Sequence, residues 1–241
     1  MHNSNIIFLH GWLFDRRIWH NLDNLFDDRF NILMHDLPGY GENNLLGISS
    51  QKYCDNIFKG AEKNTTIIGY SYGGLLALNS FQNYHSNISK VVLINCNLDV
   101  KNHKNKILNK KNIKALKTSL VDNKDKSLKQ FMYECVKNSK YHKTEYSSLL
   151  KTFPSDSLPE TEILLENLDD LLIPVNINCG FSRQKDILLI NTKEDSFMSS
   201  TEAYTINNKT IRDESISNVG HIPFISGNNQ IYNLVNTFIK N

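Results

Sequence analysis

No stretch of this 241-residue chain approaches the roughly 18 consecutive apolar residues that span a bilayer, so no transmembrane helix is predicted. The opening residues, Met1-His2-Asn3-Ser4-Asn5, lack the basic segment and apolar run of a secretory leader, which points to the cytoplasm. Cysteine is sparse: Cys54, Cys96, Cys135 and Cys179 stand far apart with no C-x-x-C pair. Four thiols suffice for disulfides or a zinc site, but this spacing favours reduced, mostly buried thiols. Glycine (11) and proline (5) are few, and neither an internal repeat nor a low-complexity linker interrupts the chain.

The sequence does have the length for one large core or one domain carrying an insertion, with 40% apolar and 22% charged residues. Its net charge of +2 hides an asymmetry. Between Asp99 and Lys151 fourteen Lys face five Asp or Glu, making that stretch +9 and the remainder −7. Such an excess suits a polyanionic partner through electrostatic steering. Nucleic acid fits poorly, because the excess is confined to one segment and no nucleic-acid-binding motif accompanies it.

Short apolar strands alternate with helical stretches. Strands are predicted at Ile6–Leu9, Phe30–Met34, Thr65–Gly69 and Val91–Asn95, with helices at Ile18–Phe26, Ser50–Lys59 and after Ser71. From about Asn97 to Asn178 the pattern is helical and Lys-rich. Strand character returns at Asp186–Ile190 and near Lys209–Ile216, and a helix at Ile231–Ile239 closes the chain. This alternation predicts a mostly parallel sheet flanked by helices. The expected division is a core of residues 1–97 and 186–241 with a helical cap, 98–185, inserted after the fourth strand.

The sharpest motif is Gly69-Tyr70-Ser71-Tyr72-Gly73, between a β-branched strand and the helix opening Gly74-Leu75-Leu76-Ala77-Leu78. G-x-S-x-G in that setting is the pattern of a nucleophile elbow, with the serine exposed at a helix N-terminus. A serine nucleophile needs a base, and the base needs an orienting acid. His221, in Gly220-His221-Ile222-Pro223-Phe224, and Asp195, in Asn191-Thr192-Lys193-Glu194-Asp195, follow the last two strands in the expected order. Glu194 and Asp186 are alternative acids. The turn Leu9-His10-Gly11-Trp12 can aim the Trp12 amide at the space above Ser71, and the Tyr72 amide is the second donor of an oxyanion hole. The Trp12 side chain would line the acyl pocket. His10 reads as a structural turn residue, and Asp36 as a brace for the Pro38-Gly39 turn.

Taken together, His10-Gly11-Trp12, Asp36-Leu37-Pro38-Gly39-Tyr40-Gly41, Gly69-Tyr70-Ser71-Tyr72-Gly73-Gly74 and Gly220-His221-Ile222-Pro223-Phe224-Ile225-Ser226 resemble the α/β-hydrolase family. Within it they look like the pimeloyl-acyl-carrier-protein methyl ester esterases of biotin synthesis, over roughly residues 5–97 and 186–240. That resemblance implies an α/β-hydrolase fold, a serine carboxylesterase activity on small or carrier-bound esters, and acyl carrier protein as the acidic partner of the Lys-rich cap. No metal or organic cofactor, nucleic acid or membrane is implied. It also implies a Phe-led cap segment along the acyl channel, matched here by Phe131-Met132-Tyr133-Glu134-Cys135, so Phe131, Met132 and Cys135 join Trp12 and Tyr72 as substrate-binding candidates. Two positions depart from the pattern. The hairpin that usually precedes the His-Gly-Trp strand is missing or reduced, and Thr192 replaces a Gly usual three residues before the acid. The lyase of menaquinone synthesis is similar in its Asp-Leu-Pro-Gly and Gly-Tyr-Ser motifs, but typically follows the Gly-Gly with a carboxylate-binding Arg where this chain has Leu75. A broad short-chain esterase and a non-catalytic ligand-binding relative are the remaining alternatives.

Overall fold

The computed structural model describes residues 4–19, 22–96, 110–172, 186–197, 205–206 and 209–240. Cys179 and the predicted cap boundaries at 98 and 185 lie outside them. A six-stranded parallel sheet forms the centre, in the order β2-β1-β3-β4-β5-β8. Its strands are β1 (Ser4–Leu9), β2 (Phe30–His35), β3 (Thr65–Tyr70), β4 (Ile88–Ile94), β5 (Ile187–Thr192) and β8 (Arg212–Ile216). The pair β6 (Thr205–Ile206) and β7 (Lys209–Thr210) forms a separate antiparallel ribbon.

Position in the sheet explains the composition of each strand. Every residue of β3 is buried, as are Val91–Ile94 of β4 and Ile187–Ile190 of β5, so these read as continuous β-branched and apolar runs. The edge strand β8 carries Arg212, Asp213 and Glu214, which face solvent wholly or in part and discourage edge-to-edge pairing. Helices α1 (Ser50–Gly60), α2 (Tyr72–Asn83) and α7 (Asn228–Lys240) flank the sheet. The N-cap Ser49 accepts a hydrogen bond from the Lys52 amide to start α1. In α7, Ile231, Val235 and Phe238 form one buried stripe at helical spacing.

Among the described residues between β4 and β5 stand four α-helices: α3 (Lys110–Asp122), α4 (Lys124–Val136), α5 (His142–Thr152) and α6 (Thr161–Asp170). They pack inward through Ile113, Leu120, Leu128, Met132, Leu149, Leu164 and Leu168. No helix among the described residues is long and apolar enough to cross a membrane.

One expected element takes a different form. The predicted helix Ile18–Phe26 is instead a pair of 3-10 turns, Arg16–Trp19 and Asp23–Leu25. Four successive i to i+3 bonds run from Ile18 N to Asp15 O, Leu22 N to Trp19 O, Leu25 N to Leu22 O and Phe26 N to Asp23 O. Ile18, Leu22 and Phe26 are all buried, so the apolar spacing that suggests an α-helix is satisfied by the tighter winding. The charge of the cap is uneven along its length. Over the predicted cap, 98–185, sixteen Lys or Arg stand against eleven Asp or Glu, with the excess before Lys151 and only acidic charge over 152–172. Lys117–Asp169 at 2.6 Å and Lys124–Glu160 at 4.0 Å pair the two halves.

Glu145 of α5 is fully buried, and neither carboxyl oxygen makes a hydrogen bond of normal geometry. Burial raises its pKa above the ordinary 4.5, with Ser139, Ser226 and His142 pulling the other way. A carboxyl with a raised folded-state pKa stabilises the fold when protonated, and that contribution fades as pH climbs through the raised value. Glu145→Gln is therefore expected to melt about 2–4 °C higher than the native chain at pH 8, with the gap shrinking at pH 4. Thermal unfolding by circular dichroism checks this, and a pH-independent gap would contradict it.

Candidate active site

The sheet itself assembles the site. β1 lies between β2 and β3, so strand order reverses there and opens a crevice beyond the carboxyl ends. Leu9 pairs with Gly69 across β1 and β3, so the turn at His10-Gly11-Trp12 and the turn at Tyr70-Ser71-Tyr72 leave the sheet side by side. They touch: a Cβ placed on Gly11 would stand 3.3 Å from Ser71 Cβ.

Ser71 adopts φ 49° and ψ −114°, outside the regions ordinary residues favour. The glycines on either side permit this, because nothing larger fits. A Cβ at Gly69 would lie 2.6 Å from Gly74 Cα, and one at Gly73 would collide with the carbonyls of Leu9 and His10. Ser71 N donates to Ile94 O at 2.9 Å, while Ser71 O accepts from Gly74 N and Leu75 N at 3.1 Å each. The turn is thus held from β4 and from α2. Tyr72 is the first residue of α2, so its amide has no acceptor within the helix and lies beside Ser71.

The three side chains expected from the sequence stand in one hydrogen-bonded line. His221 Nε2 lies 3.1 Å from Ser71 Oγ, and His221 Nδ1 lies 2.6 Å from Asp195 Oδ2. Asp195 is buried and its Oδ1 accepts from Phe197 N at 2.7 Å. Glu194 Oε2 is buried without a hydrogen-bond partner, while the imidazole Nδ1 is taken by Asp195. Asp186 precedes β5 and so sits at the far end of a strand roughly 17–20 Å long. With Nδ1–H donating to Asp195, Nε2 is left to accept a proton from Ser71, the arrangement that turns a hydroxyl into a nucleophile.

Sequence reasoning missed what holds His221. Its N–H donates to Cys135 O of α4 at 2.7 Å, and its carbonyl accepts from Asn95 Nδ2 at 2.8 Å. Asn95, at φ 49° just past β4, also bonds Thr192 on both sides: Oδ1 accepts from Thr192 N at 2.9 Å, and Nδ2 meets Thr192 Oγ1 at 3.1 Å. The Thr192 hydroxyl donates in turn to Gly220 O at 2.9 Å. The residue that departs from the family pattern therefore ties the acid loop to the histidine loop. An Asn directly closing the apolar run Val91-Val92-Leu93-Ile94, a residue type that tolerates the left-handed region, was the available signal.

The remaining candidates divide. Trp12, Phe131 and Phe197 form an aromatic wall, with ring centroids 4.8 Å apart for Trp12–Phe131 and 5.2 Å for Phe131–Phe197. Phe197 continues it to His221 at 4.9 Å. Met132, one step round α4 from Phe131, lines a cavity of about 310 Å³ with Leu128, Leu150 and Phe153. Cys135 is buried and acts through its backbone carbonyl, its thiol pKa well raised by burial. Cys54, Cys96 and Cys135 are free thiols. Buried His10 accepts from Leu37 N at Nε2, 2.9 Å, and donates from Nδ1 to Gly11 O, 2.9 Å. Asp36 accepts from the amides of Arg16 and Glu42 at 2.7 and 3.0 Å, bracing its turn. Among the described residues no group of three or more His, Cys, Asp or Glu side chains is arranged to hold a metal ion.

A parallel sheet with a strained serine, a histidine and a carboxylate at its carboxyl edge defines a protein of the hydrolase fold. A profile of the alpha/beta hydrolase family matches residues 6–230, and the chain belongs to that family. It is 38% identical over 76 residues to a pimeloyl-[acyl-carrier protein] methyl ester esterase of Wigglesworthia glossinidia brevipalpis, covering 31% of this chain and 29% of that one. The corresponding esterase of Vibrio vulnificus is 28% identical over 91 residues, 37% and 36% of the two chains. These matches span about a third of the relatives' length. An esterase of Exiguobacterium antarcticum superposes with a TM-score of 0.81 at 16% identity, over 99% of this chain and 92% of that one. MenH from S. aureus gives 0.73 at 20% identity, over 100% and 94%. Both likenesses are of fold.

Asn95→Asp keeps shape and tolerance of positive φ but removes both donated hydrogen bonds. It is expected to slow labelling of Ser71 by a fluorophosphonate about 10–100-fold, the effect of a small misplacement of a reacting group. Stopped-time labelling checks this, and an unchanged rate would contradict the role given to Asn95.

Proposed function

We propose that this chain is a serine carboxylic ester hydrolase that cleaves the methyl ester of a pimeloyl chain held on acyl carrier protein. The observation that carries the reading is the line Ser71–His221–Asp195, 3.1 and 2.6 Å between successive groups, at the strained turn. The partial likeness to methyl ester esterases supports the substrate.

Ser71 Oγ attacks the ester carbonyl carbon as its proton passes to His221 Nε2. Charge gathers on the carbonyl oxygen, where the amides of Trp12 and Tyr72 receive it. Each such donor contributes roughly 3–4 kcal/mol to the transition state. The tetrahedral intermediate collapses and methanol departs with the proton from His221, leaving an acyl group on Ser71. Water then gives a proton to His221 and attacks the acyl carbon; collapse frees the carboxylic acid and returns the proton to Ser71. Asp195 fixes the imidazole tautomer and balances its positive charge. Trp12, Phe131 and Phe197 offer apolar surface to an acyl chain, worth about 0.8 kcal/mol per buried methylene.

The acidic carrier would meet the face of the cap where Lys111, Lys114 and Lys126 are exposed along a groove between α3 and α4. Cytoplasmic work suits the free, buried thiols. The likeness in fold to MenH favours a second reading, the lyase of menaquinone synthesis. Against it, the position after Gly73-Gly74 holds buried Leu75 and offers no carboxylate-binding cation. A broad short-chain esterase would share the chemistry and lack the preference for a carrier.

The test compares carrier-bound with free methyl pimelate. The native chain is expected to hydrolyse both, and Ser71→Ala neither, with a loss of at least about 1000-fold. Replacing Lys111, Lys114 and Lys126 together by Glu is expected to lower kcat/KM about 10-fold or more for the carrier-bound ester alone. Equal effects on both substrates would remove the carrier, and full activity of Ser71→Ala would remove the mechanism.

A further inference from the structure

The two residues assigned to the oxyanion hole are fastened, through their side chains, to one helix of the cap. Trp12 Nε1 donates to Leu164 O of α6 at 3.0 Å. Tyr72 Oη donates to Asp170 Oδ2 of α6 at 2.5 Å, with Asn167 Oδ1 at 3.1 Å sharing the same hydrogen. Asn167 extends the junction: its Nδ2 donates to Tyr40 Oη at 3.0 Å, and its Oδ1 accepts from Ser50 Oγ at 3.3 Å. Trp12, Tyr40, Ser50, Tyr72 and Asn167 are all buried. Lifting α6 would strip partners from an indole, two phenols, a hydroxyl and an amide, and buried polar groups are rarely left so. Lys117 of α3 grips the exposed side of α6 through Asp169 at 2.6 Å.

We propose that Asn167 and Asp170 are positioning residues which, with Leu164 O, hold the Trp12 and Tyr72 amides above Ser71, so that the oxyanion hole is complete only when α6 is seated. This rests on the acyl-transfer reading. It assigns the cap a part in the chemistry and not only in enclosing substrate. Tyr72 carries the link: its side chain runs to α6 while its amide stays beside Ser71 at the first position of α2. Burial, followed by the Asp170 carboxylate, raises the Tyr72 pKa, which keeps the hydroxyl a donor at any working pH. The arrangement also separates two jobs. Helix α4 holds the histidine side through Cys135 O, and α6 holds the oxyanion side.

Tyr72→Phe, Asp170→Ala and Asp170→Asn test this. Each is measured for kcat and KM on p-nitrophenyl acetate, for thermal midpoint, and for inhibition by phenylboronic acid, whose serine adduct puts an oxygen in the hole. Tyr72→Phe and Asp170→Ala are expected to lose about 10–100-fold in kcat, short of deleting a donor outright, with KM little changed. The boronate should weaken in parallel, and the pH profile should stay put because His221 and Asp195 are untouched. Asp170→Asn, which keeps an acceptor oxygen, should recover most of kcat. Native kcat in Tyr72→Phe and Asp170→Ala would overturn the proposal. So would losses that follow the thermal midpoint alone and are not restored by Asp170→Asn. A native chain that neither hydrolyses the ester nor binds the boronate would instead overturn the acyl-transfer reading, and this proposal with it.

Discussion

Ser71 holds a backbone conformation, φ 49° and ψ −114°, of a kind that costs about 1–3 kcal/mol and survives only where its surroundings over-determine it. Here they do. β4 takes the Ser71 amide, α2 takes its carbonyl, and the glycines at 69 and 73 let β1, β3 and α2 close to contact. The rest follows from that closure. Ser71 Oγ can reach His221 Nε2 because the serine cannot relax into the sheet or into the helix. The turns that follow β1 and β3 leave the sheet side by side because Leu9 and Gly69 share a register. A flatter turn would leave a hydroxyl, an imidazole and a carboxylate on three loops with no common point.

The cap is tied into this closure and does not merely cover it. His221 is gripped on both sides of its own peptide unit, by Cys135 O of α4 and by the Asn95 side chain. Trp12 and Tyr72 are gripped by α6. The predicted cap, 98–185, keeps a net charge of +5, and its charge is unevenly placed: lysines on α3 to α5, carboxylates from Asp156 to Asp170. Some of that charge is spent within the cap, in Lys117–Asp169 and Lys124–Glu160, and some stays exposed at Lys111, Lys114 and Lys126.

Much of the fold was legible because central parallel strands are written as continuous apolar runs, and because the elbow has no cheap substitute for its glycines. The order of Ser71, Asp195 and His221 along the chain matched the order of strands that carry them. What was not legible depended on tertiary context. Ile18, Leu22 and Phe26 have helical spacing, yet 3-10 turns bury all three equally well. Met132 follows Phe131 in the segment chosen by resemblance, but one step along a helix turns a side chain to another face. Thr192 stood out only as a missing glycine. Its hydroxyl gains meaning from Asn95 and Gly220, which are distant in sequence and adjacent in space. Tyr72 looked important for its amide, while the partner of its phenol lies almost a hundred residues on.

The acyl-enzyme offers the decisive observation. Native protein mixed with p-nitrophenyl acetate and quenched in acid within the first turnover should carry an acetyl group on Ser71, found by peptide mass mapping, with a matching burst of p-nitrophenol. Replacing His221 by Ala should abolish both. Ester hydrolysis without acetyl on Ser71, or with the adduct on another residue, would contradict the assignment of this serine as the nucleophile.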